Sequence, residues 1–144
     1  MRRFFCLLLA AFAPGYVYAQ VGLSPAEQAS LTRALGEAGN SPVDFMRAVE
    51  NHLKQYPNSP QRAELERAIL KTAIDQNDDP RVIRFGESVL ARDPDNVQVL
   101  EHVATALLRQ GDQAFAERAL ERARHLEQVI HSSRQLSANF VGSG

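Results

Sequence analysis

The sequence predicts an all-α fold of stacked antiparallel helix hairpins, and three observations carry that expectation. Apolar residues recur at helical spacing in six successive segments between Ser24 and Ile130. Gly, Pro and Asn mark the breaks between those segments, as in Gly39-Asn40, Tyr56-Pro57-Asn58-Ser59-Pro60 and Asp93-Pro94-Asp95-Asn96. After residue 19 no stretch keeps the strict alternation of a half-buried strand, and no two-residue hairpin turn occurs.

Residues 1–19 read as a secretory signal peptide. Arg2 and Arg3 supply the positive start, Phe4 to Ala13 is an unbroken apolar run, and Val17-Tyr18-Ala19 has the small-x-small form of a cleavage site. Ten apolar residues fall well short of the ~20 that a spanning helix needs. Cleavage after Ala19 is therefore expected, with a secreted or periplasmic destination and no stable membrane anchor afterwards. The mature chain would hold 14 basic and 17 acidic residues, a net charge of −3, because Arg2 and Arg3 leave with the leader. That balance argues against nucleic acid and against anionic membranes as partners. Cys6 is the only cysteine and also lies in the leader. The mature chain would then have no disulfide, thiolate metal site or cysteine nucleophile, and would rely on packing alone.

Residues 20–60 are expected to form an N-terminal helix pair. Ser24-Pro25-Ala26-Glu27 opens the first helix: Ser24 caps, Pro25 suits the first turn, and Glu27 can return a hydrogen bond to the cap. Leu31, Ala34, Leu35 and Ala38 make its apolar stripe. Ser41-Pro42-Val43-Asp44 opens the second helix in the same way, with Phe45 or Met46, Val49, Leu53 and Tyr56 as its stripe. Four further helices are expected over residues 61–75, 80–92, 97–110 and 113–130. Asp79 is the expected cap of the second of these, ahead of Pro80. Residues 131–144 are polar and weakly periodic, and read as a tail.

The segments 63–96 and 97–130 correspond at a period of 34 residues. Ile69 answers Val103, Ala73 answers Leu107, Gln76-Asn77-Asp78 answers Gln110-Gly111-Asp112, Val82 answers Ala116, and Val89 answers Ala123. This pair of segments resembles the tetratricopeptide repeat, an α-solenoid of helix hairpins. Asp93-Pro94-Asp95-Asn96 is similar to the family's repeat-closing Asp-Pro-Asn-Asn. Ala104, Ala116 and Ala123 match the small residues the family places where two helices cross. Glu66, Leu70 and Gly86 depart from the pattern, since the family often has an aromatic, a small residue and an aromatic there. The 20–60 pair then reads as a degenerate repeat stacked on the first full one.

Chemistry is sparse. Asp75, Asn77 and Asp79 have the 1-3-5 spacing of a calcium loop, but the sixth position is Pro80 and the twelfth is Gly86, where Gly and Glu are required. His52, His102, His125 and His131 include no pair at metal-binding helical spacing with a carboxylate between them, and read as partly packed or surface residues. No serine sits in a nucleophile elbow, and no glycine-rich phosphate loop is present. The expectation is a chain without catalysis, cofactor or metal.

The resemblance implies a concave groove lined by the first helix of each hairpin, where a protein or peptide partner binds. Carried onto this sequence, the groove presents Glu64, Arg67, Lys71 and Asp75, then Gln98, Glu101, Thr105, Leu108 and Arg109. The family's Lys/Asn clamp for a terminal carboxylate is not matched at Arg67, Lys71, Glu101 and Thr105. Arg67 and Lys71 are still fixed donors for an acidic group, and Leu108 is an apolar anchor if exposed. The expected function is a non-catalytic interaction module. The alternative is the front region of a larger envelope enzyme, of thioredoxin-like type by resemblance, although this chain contains no C-x-x-C.

Overall fold

The computed structural model describes residues 22–111 and 113–141, so the expected leader lies outside the described residues. Six helices follow one another: α1 (Pro25–Ala38), α2 (Pro42–Gln55), α3 (Arg62–Asp75), α4 (Asp79–Leu90), α5 (Val97–Gln110) and α6 (Gln113–Val141). Each packs mainly on its neighbours in sequence, which is the arrangement of stacked hairpins. All regular structure among the described residues is helical.

Local chemistry sets most of the helix ends. Ser24, Ser41 and Asn96 accept from the backbone N–H three residues on, at 3.2, 3.2 and 3.1 Å, which satisfies an otherwise orphaned donor at each start. Gly111 ends α5 at φ 70°, a left-handed position that a side chain would strain. At α4 the cap is Asp78 and not Asp79. The Asp78 carboxylate accepts from the Arg81 N–H at 3.2 Å, and Pro80 is tolerated one place further into the first turn. Asp79 is thereby released to receive Arg109 of α5 at 2.9 Å.

The last helix runs to Val141, eleven residues past the expected end at Ile130. No Pro or Gly interrupts the sequence before Gly142. The Ser132, Ser133 and Ser137 hydroxyls donate to carbonyls four residues back at 2.9, 2.7 and 3.0 Å, so these polar residues are accommodated within the helix. Its packed face follows expectation in part. Of the apolar residues expected along it, Ala119 is buried and Leu126 partly buried, whereas Ala116, Leu120 and Ala123 are exposed. Phe115, Ala119, Arg122 and Leu126 form the covered stripe, and the two exposed alanines lie on the next face round.

The core is a single apolar cluster that spans α2 to α6. Met46, Val49, Ile69, Leu100, Val103 and Leu107 are its largest fully buried side chains. Met46, rather than Phe45, is the inner residue of α2, with Phe45 partly buried beside it.

Two departures from an apolar interior stand out. Glu66 of α3, only 3% exposed, is held by Arg62 at 3.0 Å, Arg92 at 2.6 Å and the Ser88 hydroxyl at 2.7 Å. Burial alone would raise its pKa, but the Ser88 and Arg92 hydrogen bonds and the charges of Arg92 and Arg62 outweigh that and hold it below 4.5. A depressed carboxylate contributes stability above its unfolded value, and that contribution is lost as pH falls through the folded value. Glu66→Gln is expected to cost about 2 kcal/mol at neutral pH, less than a fully buried pair because both arginines keep solvent. In urea titrations the deficit should shrink as pH drops below 4.5; a deficit that is constant with pH would rule the ion cluster out as its source.

Glu27 is the second departure. It does not return to its cap but lies buried against α2, with Oε1 3.5 Å from Nε2 of His52. That spacing suits an ion pair but is long for a hydrogen bond. His52 is 2% exposed, so it is a core residue and not a surface one, and the Tyr56 ring lies 4.9 Å from it.

Candidate functional site

The first helices of the two C-terminal pairs, α3 and α5, both pack on α4 and border a cleft. Its larger part, about 460 Å³, is floored by Leu70, Ile74, Val89 and Val99 and rimmed by Arg67, Lys71, Asp75, Asn96, Gln98 and His102. A smaller part of about 130 Å³ continues it through Asn77, Asp79, Val82, Thr105 and Arg109. Ile74 and His102 line both parts, so the two form one channel.

Helical spacing explains which residues converge. Gln98, His102, Thr105 and Arg109 are at i, i+4, i+7 and i+11, one continuous stripe of α5 facing α3. Arg67, Lys71 and Asp75 step by four along α3. All nine sequence-predicted groove residues are exposed. Six of them, Arg67, Lys71, Asp75, Gln98, Thr105 and Arg109, line the channel. Glu64, Glu101 and Leu108 do not. Glu101 and Leu108 fall on a different stripe of α5, with Val97 and Ala104, turned away from α3.

The sequence reading missed His102, Asn96, Asn77 and the apolar floor. His102 had a usable signal, since it sits four residues after Gln98 and three before Thr105. The floor had none, because Leu70, Ile74 and Val99 are apolar residues of the same kind that helices bury in a core.

The charges along the rim are unequal in availability. Lys71 is paired with Asp75 at 3.3 Å, and Arg109 with Asp79 at 2.9 Å. Arg67 has no ion-pair partner among the described residues and is the cation most open to a ligand. An apolar trough with polar groups at both edges suits an extended segment that seats apolar side chains and hydrogen-bonds along its length.

Among the described residues no group of three His, Cys, Asp or Glu side chains is placed to hold a metal ion. No described helix is long and apolar enough to cross a membrane. The chain gives no match to any family model, curated protein or solved structure.

Proposed function

We propose that this chain is a non-catalytic protein-interaction module whose hairpins stack as tetratricopeptide repeats do. It is exported to the periplasm or outside the cell, on the strength of residues 1–19, and binds an extended protein segment in the α3–α5 channel. One observation carries the reading: six side chains from two separate helices border two adjoining clefts, the larger of them floored by Leu70, Ile74, Val89 and Val99. The bound segment would place apolar side chains on Leu70, Ile74 and Val99 and a carboxylate near Arg67, the unpaired cation of the rim.

Peptides selected against the immobilised chain from a random display library test it, with affinities read by fluorescence anisotropy. The double variant Arg67→Glu/Lys71→Glu is expected to weaken the selected peptides about tenfold or more. Leu108→Asp is expected to leave them unchanged, since Leu108 lies outside the channel. Selected peptides that bind the double variant normally, or that respond only to Leu108→Asp, would refute the channel as the binding site.

A further inference from the structure

Exposed apolar side chains are concentrated at one end of the row of helices. Of the five large exposed hydrophobics among the described residues, Val97, Leu108, Leu120 and Leu136 belong to α5 and α6, and only Val43 lies elsewhere. At the other end, α1 turns Gln28, Thr32, Arg33 and Glu37 outward, a polar finish that needs no cover. The α6 end is also largely polar, but Leu120 and Leu136 stand exposed among its charges. Leu120 is 51% exposed, flanked by exposed Ala116 and Ala123, whose small side chains permit close approach of another helix.

The charges on α6 divide by face. Arg118 and Arg122 turn toward α4 and pair with Glu87, and His125 reaches Asp95 at 2.9 Å. Arg124, Glu127 and Arg134 face outward and make no ion pair among the described residues. With Glu117, Leu120 and His131 they form an exposed stripe that steps by three and four residues, the spacing of a helix–helix seam. A concavity of about 650 Å³ opens along the Ala123, Glu127, His131 and Arg134 part of it.

This stripe is complementary to its own reverse. About a two-fold axis at the level between His125 and Leu126, Glu117 meets Arg134 of a second copy, Arg124 meets Glu127, and Leu120 meets His131. Each match occurs twice by symmetry. A parallel, in-register pairing would instead set Glu117 on Glu117 and Arg124 on Arg124, which like charges oppose. Head-to-tail stacking would set Leu120 and Leu136 against the polar face of α1. We propose that the outer face of α6 is a self-association surface on which a second copy of this chain packs antiparallel, about that two-fold axis. It is separate from the α3–α5 channel and does not depend on it. Leu120 is the one apolar side chain of the stripe and the centre of the seam is the Arg124–Glu127 pairs, so the dimer is concentration-dependent rather than permanent.

Sedimentation equilibrium of the whole chain tests the proposal. The apparent mass is expected to rise toward two chains with concentration. Leu120→Glu should hold it at one chain at every concentration, with helicity by circular dichroism unchanged. Glu117→Arg and Arg134→Glu should each shift association to higher concentration about tenfold, and the two together should restore it. A monomer at all concentrations would overturn the proposal. So would a dimer indifferent to Leu120→Glu, or a charge swap that fails to rescue, since only the antiparallel register pairs those two positions.

Discussion

Gly86→Ala is expected to lower stability by about 2 kcal/mol, while Gly36→Ala is expected to raise it by up to about 1 kcal/mol. Both glycines lie inside helices, and alanine relieves the same backbone entropy at each. The surroundings decide the sign. A methyl at Gly36 meets nothing within 4 Å. A methyl at Gly86 would sit 2.3 Å from Cγ2 of Val103, a contact that real side chains do not make. Val103 is fully buried and β-branched, so it has little rotamer freedom with which to withdraw. The α4 and α5 helices must then separate, and overpacking outweighs the propensity gain. Gly86→Leu should be worse still. Urea unfolding of the two alanine variants is a direct comparison, and Gly86→Ala/Val103→Ala should cost less than the two single changes added together. Equal gains at Gly36 and Gly86 would show that α4 and α5 are not in such close contact. The aromatic that the repeat pattern favours at this position has no room here for the same reason.

Leu107→Ala should carry the largest cost of any apolar truncation considered, about 3–4 kcal/mol. Leu107 is fully buried in the cluster that joins α2 to α6. The cavity it leaves would remove both its transfer free energy and its packing contacts. For a domain of marginal stability that is a large share of the total. Its neighbour Leu108 is 64% exposed, so Leu108→Ala should change stability by less than about 0.5 kcal/mol. Thermal melts of this adjacent pair test the rotation of α5 about its axis. Similar losses at both positions would mean that α5 is turned by roughly half the expected angle between them.

How much of this was legible beforehand can be judged at particular residues. Ser24, Ser41 and Asn96 cap through contacts three residues away, so the chain order alone reveals them. Asp78 and Asp79 are both able caps, and only the structure shows that Asp78 takes the role while Asp79 meets Arg109, thirty residues further along. The helical stripe of α6 was legible, but its angular setting was not. Ala119 and Leu126 pack inward while Ala116, Leu120 and Ala123 stay exposed, and on the same side Arg118 and Arg122 reach Glu87 of α4. Leu108 was assigned to the groove because it is apolar on the correct helix, yet one step of 100° places it on another face.

The sequence by itself determined the all-helical class, four of the six helix starts to the residue and the other two to within one, and most of the apolar core, since each follows from periodicity or from a hydrogen bond within one turn. Only the tertiary structure decided that Glu66 is buried among two arginines and a serine, that Glu27 faces His52, that Gly86 makes room for Val103, and that Arg67, His102 and Arg109 border one channel. Apart from the one-turn pair Arg62–Glu66 and the step along α5 from His102 to Arg109, those relations join residues 17 to 42 positions apart in the chain, where helix period carries no information and side-chain packing and paired charge settle the outcome.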